Sequence, residues 1–317
     1  MLKISSVLIV LLLTLSAWSF QVTKQQMQFN KITLEVEVNT LNIQTDLLFV
    51  VDNSGSMTNH QRNLASNINK LVSQLNNYDL HAAVVTADMD SFPGPLTGGK
   101  LVNGYVSNSD SYYLQKLEQN ILSVGTNGSG IERHFDSILA ALANNIDFLR
   151  PNAHLAIVLL TDAEDQSKIT TADFVTSLKG RKSATTSITF NTILVPSGEM
   201  KCERDTSMET PLKIEDAVKI LGGATLNICE NFGAQIQDIG QFIGQKGSYF
   251  NRIIQLPLVP SSINTVKVTY GNTELVIGDL NFGWVYDSKL NTILIGQLFD
   301  PTTQPSNTKL YIEFVPN

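Results

Sequence analysis

Residues 45–57 read Thr45-Asp-Leu-Leu-Phe-Val-Val-Asp-Asn-Ser-Gly-Ser-Met57. From Leu47 to Val51 no polar residue interrupts the chain, which is how a strand buried on both faces reads. Asp52-Asn-Ser-Gly-Ser then supplies turn chemistry. From His60 to Leu75 the apolar residues Leu64, Ile68, Leu71 and Leu75 recur at helical spacing. Strand, loop and helix follow one another within some thirty residues, as a parallel βαβ arrangement requires.

The same order repeats downstream. Leu80 to Thr86 reads as a second strand, Ile131 to Leu149 as a helix with Ile138, Leu139, Leu142, Ile146 and Leu149 on one side, and Leu155 to Thr161 as a further apolar strand. A helix near Ala172 to Lys179, a strand over Ile188 to Val195, a helix near Ile214 to Leu221, a strand over Ala224 to Cys229 and a closing helix around Ile236 to Gln245 complete the series. Apolar strands alternating with amphipathic helices predict an α/β fold with a doubly wound, mainly parallel sheet. The irregular stretch Asp88 to Thr126 reads as a surface insertion with one short helix over Tyr112 to Leu122.

The two ends of the chain differ from this middle. Met1 to Ser19 has Lys3, an apolar run from Val7 to Leu15 and Ala17-Trp18-Ser19 as a small-x-small cleavage site, which reads as a secretory signal. Its apolar run is shorter than the roughly 20 residues that span a bilayer. Residues 20–44 form an N-terminal segment in which Ile32 to Val38 alternate, predicting an antiparallel or edge strand. Residues 45–249 hold the α/β domain. Residues 250–317 carry short alternating runs, at Ile263 to Tyr270, Glu274 to Ile277, Thr292 to Ile295 and Lys309 to Val315, and predict a small β-sandwich-like domain.

Composition narrows the function. The chain has 317 residues, 43% hydrophobic and 16% charged, with net charge −7. That is a globular composition, and without a basic patch nucleic acid is excluded as a partner. The two cysteines, Cys202 and Cys229, read as a disulfide in an exported protein, two buried thiols being the alternative. No later stretch is long and apolar enough to span a membrane, so an exported protein, periplasmic, cell-surface or extracellular, is expected.

Ligands of a doubly wound sheet gather at the carboxyl ends of its strands. There stand Asp52, Ser54 and Ser56 after the first strand and Asp162 after the strand at 155–161, with Thr126 in Gly-Thr-Asn-Gly-Ser-Gly before the helix at 131. All offer oxygen, which suits a hard cation such as Mg2+. The bland alternatives are helix caps at Asp52, Ser54, Ser56 and Asp162, and Ser129 in place of Thr126. Glu164 and Asp165 either draw the site towards Ca2+ or are solvated helix-start residues, the reading we adopt. The sequon Asn127-Gly-Ser lies inside the proposed metal loop, where a glycan is not expected.

The segment 46–57 resembles the opening of a von Willebrand factor A domain with its metal-ion-dependent adhesion site, and the resemblance runs from about Thr45 to Gly247. It implies a Rossmann-like sheet, with Ser54, Ser56 and Thr126 coordinating a divalent cation (Mg2+, with Mn2+ or Ca2+ as alternatives) and Asp52 and Asp162 acting partly through bound water. One coordination position would remain for an acidic side chain of a protein partner. The layout is also similar to secreted proteins of predatory and gliding bacteria. A catalytic role is not expected. No nucleophile elbow or phosphate loop occurs, and of His60, His81, His134 and His154 only His60 is close in sequence to the loop, where it reads as an exposed helix-start residue. A metal-dependent hydrolase using Glu164 or Asp165 as base is the runner-up. A domain that kept the fold without the metal is the third reading.

Overall fold

The computed structural model describes residues 19–28, 30–39, 43–89, 98–151, 153–182, 188–199, 210–296, 299, 303–305 and 307–317. Its centre is a six-stranded sheet. β3 (Ile43–Val51) is flanked on both sides by parallel neighbours, β4 (Tyr78–Thr86) and β6 (His154–Leu160). β7 (Ile188–Leu194) and β8 (Thr225–Asn227) extend the sheet beyond β6 in parallel, while β5 (Tyr105–Ser107) runs antiparallel along the outer edge of β4. The order β5-β4-β3-β6-β7-β8 places the apolar run 47–51 in the middle of the sheet.

Alternation divides that run between two cores. Leu47, Phe49 and Val51 face α1 (Thr58–Val72), α2 (Tyr113–Leu122) and α6 (Phe232–Asn251), where they meet Leu64, Ile68, Leu117 and Ile236. Leu48 and Val50 face α3 (His134–Asn144), α4 (Thr171–Lys179) and α5 (Leu212–Leu221), where they meet Phe135, Ile138, Phe174 and Ile214. A strand covered on both sides needs no polar residue, which is why this one has none. Helix α6 approaches α1 closely: a Cβ at Gly240 would lie 2.4 Å from the Leu71 carbonyl oxygen, so only glycine fits there.

The α3 helix is shorter than its sequence suggests. Ile131 and Glu132 remain extended before it, Glu132 bridging to Asp88, and the Arg133 N–H bonds the Ala87 carbonyl at 3.0 Å, so this backbone serves the sheet edge. At the other end Asn145 leaves helical geometry, with φ −127° and ψ 67°, and Ile146 is 77% exposed rather than on a buried face. The short strand β5 was not anticipated.

A second body of antiparallel structure joins the two ends of the chain. Strands β1 (Ser19–Gln28), β2 (Lys31–Asn39), β14 (Lys309–Phe314), β10 (Lys267–Tyr270) and β11 (Thr273–Glu274) form one sheet in that order. Strands β12 (Trp284–Asp287), β13 (Thr292–Ile295) and β9 (Ile253–Gln255) form another. Ile32, Leu34 and Val36 from β2, Ile312 and Phe314 from β14, and Trp284, Ile293 and Ile254 share one buried core. Of the two readings of the alternating segment, antiparallel or edge strand, the first holds: β2 pairs antiparallel with β1 on one side and β14 on the other, so it is interior. Alternation reports one buried face but not how many edges are paired. Among the described residues no helix is long and apolar enough to cross a membrane. All of the expected signal segment Met1–Ser19 but Ser19, the first residue of β1, lies outside them, as does Cys202 of the expected Cys202–Cys229 pair.

Candidate metal site

β3 ends with its neighbours still holding the chain: the Asp52 N–H bonds the Leu160 carbonyl at 3.0 Å and the Thr161 N–H bonds that of Ile193 at 3.1 Å. Asp52 and Asp162 are thus brought to one carboxyl edge, as the topology of parallel strands demands. Asp52 is fully buried. Its Oδ1 accepts the Ser54 N–H at 2.8 Å and its Oδ2 accepts the Thr161 hydroxyl at 2.7 Å, which fixes the carboxylate and curls the loop. The Ser54 and Ser56 hydroxyls lie 3.1 Å apart, and the Ser56 side chain bonds Asp162. Neither serine hydroxyl caps a helix, and the cap of α4 is Thr170 rather than Asp162.

The glycine-rich loop is pinned beside this group. One buried amide, Gln61 of α1, donates to the Asp52 carbonyl and to the Gly125 carbonyl, each at 2.8 Å. The Gly128 N–H bonds the Asn53 carbonyl at 2.8 Å, and a Cβ at Gly128 would come within 2.4 Å of the Asn53 side chain. Thr126 sits half-buried in that loop. The described hydrogen bonds link Asp52, Ser54, Ser56 and Asp162, and leave the Thr126 hydroxyl unlinked to these four. Ser129 is held otherwise: its N–H donates to Asp88 Oδ2 at 3.0 Å and its hydroxyl accepts the Ile131 N–H at 3.0 Å.

Two residues that sequence reasoning passed over complete the edge. Glu132 and His134 are buried, and each offers a ligating atom that, with one from Asp52, lies within 4.8 Å of the others. Both lie in the segment read as the start of a helix. Read as extended chain, their i, i+2 spacing would have put them on one side, towards the strand ends. The Glu132 carboxyl is pushed up to about 9, first by burial and then by Asp52, Asp88 and Asp162. Asp162 is also raised, chiefly by burial, with the Ser56 hydrogen bond opposing and Asp52 adding to the shift. His60 is half-buried rather than exposed, and its pKa is lowered by burial against the pull of Asp162 and Asp52.

Glu164 and Asp165 are not solvated. They are 6% and 3% exposed, and both are engaged. Glu164 accepts the Asp165 and Lys213 N–H groups at 2.7 and 2.8 Å, at the start of α5. Asp165 accepts the Phe135 N–H at 3.0 Å, the Ser167 hydroxyl at 2.8 Å and the Lys213 ammonium at 2.6 Å. A general base needs a free lone pair aimed at its substrate, and these two carboxylates anchor a loop instead.

The donor set fits a divalent cation. Hydroxyls and carboxylates converge, the charged groups acting on Glu132 are all acidic, and among the described residues the Asn53 side-chain oxygen is buried without a hydrogen-bond partner. Acidic groups packed together out of water demand a proton or a cation.

The model of the von Willebrand factor type A domain matches residues 46–201. A solved structure described as von Willebrand factor type A from Catenulispora acidiphila is similar over 96% of this chain and 66% of its own, at 15% identity and a TM-score of 0.44. The pilus adhesin SpaC from Lactobacillus rhamnosus GG is similar over 94% and 43%, at 10% identity and a TM-score of 0.42. The PilB minor pilin from Streptococcus sanguinis is similar over 72% and 78%, at 11% identity and a TM-score of 0.42. The chain thus spans less than two thirds of the first two. Comparison with the curated proteins finds no match. Residues 46–201, with β3 and its carboxyl-edge loop at their start, are a von Willebrand factor type A domain.

Proposed function

We propose that this is an exported binding protein, not an enzyme, in which Asp52, Ser54, Ser56, Thr126 and Asp162 hold a divalent cation, Mg2+ in the first instance, that engages a carboxylate of a protein partner. The observation that carries the reading is the meeting of Asp52, Ser54, Ser56 and Asp162 at one strand edge with no Lys or Arg among the charged groups acting on Asp162. The cation, when bound, supplies a Lewis-acid contact for the partner's oxygen. The chain's own residues prepare that contact. Thr161 and the Ser54 N–H orient Asp52, and Gln61 ties the first loop to the glycine-rich one, so ligands from separate loops stay in register. Ser56 is exposed and Ser54 half-buried, so this face is open to a partner. With Glu164 and Asp165 engaged, neither of these carboxylates serves a hydrolysis as its base.

The test is retention of the full chain on an immobilised glutamate-rich peptide, in Mg2+ and in chelator. Retention in Mg2+, release by chelator and no retention of Asp52→Ala are expected. Binding that chelator leaves unchanged overturns the proposal.

A further inference from the structure

The adhesion reading leaves two buried side chains without a task. Among the described residues both ring nitrogens of His134 lack a hydrogen-bond partner, although the residue is 0% exposed, and the Glu132 carboxyl, 1% exposed, meets the Asp52 carboxyl, another acid, at hydrogen-bond reach. Buried polar groups in folded proteins are paired almost without exception, so two unpaired imidazole nitrogens beside two buried acids point to a ligand. Asp165 does not provide the pairing: its Oδ1 is 3.8 Å from His134 Nδ1, beyond hydrogen-bond reach, and is taken by the Phe135 N–H and the Ser167 hydroxyl. Asp52 completes the group, its ligating atom lying within 4.8 Å of those of Glu132 and His134. About an ångström of closure brings three such atoms to the roughly 2.0–2.2 Å bonds of a transition-metal ion.

We propose that Asp52, Glu132 and His134 form a second, buried cation position that takes a borderline divalent metal of the Zn2+ class. An imidazole with two carboxylates suits Zn2+, Co2+ or Cu2+, whereas Mg2+ prefers oxygen alone. Asp52 keeps lone pairs for the ion while the Ser54 N–H and the Thr161 hydroxyl hold its orientation, as supporting hydrogen bonds do around metal-binding carboxylates. The position shares Asp52 with the adhesion reading but none of its other ligands, so either can fail without the other.

The test is metal content. The full chain is stripped with chelator, given Zn2+ alone or Zn2+ with excess Mg2+, freed of unbound ion and assayed for metal per chain. One Zn2+ that excess Mg2+ does not displace is expected. Ser54→Ala with Ser56→Ala is expected to keep that Zn2+ while losing the Mg2+-dependent rise in melting temperature. His134→Gln is expected to weaken Zn2+ binding at least tenfold, and His60→Ala to leave it unchanged. If His134→Gln does not fold, one equivalent of Cu2+ in the His60→Ala chain should show imidazole nitrogen coupling by pulsed electron paramagnetic resonance. No bound Zn2+, Zn2+ displaced by Mg2+, Zn2+ lost with the two serines, or an absence of nitrogen coupling each overturns the second position. Persistence of Zn2+ in a chain that shows no Mg2+ effect would sink only the adhesion reading.

Discussion

Asp46, in the amino-terminal half of β3, and Asp52, just past its carboxyl end, have the same parity along the chain, and both are fully buried. At the amino edge Asp46 is neutralised by the chain itself. Its oxygens take the Arg150 N–H and Nε at 2.8 Å and the Lys182 ammonium at 3.1 Å, and Arg150 goes on to Asp79 at 2.8 Å. At the carboxyl edge Asp52 meets hydroxyls, Glu132 and Asp162, and no lysine or arginine bonds it among the described residues. One strand and its exit therefore carry two buried aspartates of which one is satisfied from within. A buried acid left among acids is tolerable as part of a binding site, because the neutralising charge can come from outside. The difference separates the edge whose charge the chain neutralises itself from the edge to which we assign the binding function.

The largest effect should come from breaking the closed edge. Asp46→Ala strands Arg150 and Lys182 and is expected to cost about 3–5 kcal/mol, on the order of 10 °C in melting temperature for a domain of this size, whether metal or chelator is present. Next comes the clamp between the loops: Gln61→Leu leaves the Asp52 and Gly125 carbonyls unpaired and should cost about 1–3 kcal/mol, with weaker Mg2+ binding by calorimetry.

Tyr78 tests the amino edge by pH. Its hydroxyl donates to the Gly244 carbonyl at 2.8 Å, and burial pushes its pKa up to about 12 from 10.0. A folded-state value above the unfolded one means the contribution is complete below pH 10 and lost as the pH rises towards 12. Tyr78→Phe should lower neutral-pH stability by about 1 kcal/mol and flatten this alkaline decline in denaturant melts. The smallest effect belongs to the open edge in chelator. Asp52→Asn removes a like charge from the cluster, so its unfolding free energy should stay within roughly 1 kcal/mol of the parent or exceed it, the opposite of Asp46.

The legible parts of the molecule were those where one local pattern has one meaning. Leu47 to Val51 can only be a strand covered twice, and the loop after it must then lie at the carboxyl edge with Asp162 near it. Glu132 was hidden because helical periodicity runs back through Ile131 while the sheet edge keeps that backbone extended, a competition settled by the Arg133 bond to Ala87, and His134 because it opens α3 instead of lying inside it. Glu164 and Asp165 resembled solvated helix-start acids because nothing local announces Lys213, forty-eight positions beyond Asp165, as the partner. The pairing of β2 with β14 joins the two ends of the chain, and no short window of sequence contains both.

The claim that the carboxyl edge awaits a cation is tested most directly by melting the chelator-stripped full chain with and without Mg2+ or Mn2+. A ligand at a hundredfold excess over its dissociation constant stabilises by about 2.7 kcal/mol. The melting temperature should therefore rise by roughly 5–10 °C, and Asp52→Ala should abolish the rise. Superimposable curves for the parent chain in metal and in chelator would contradict the account.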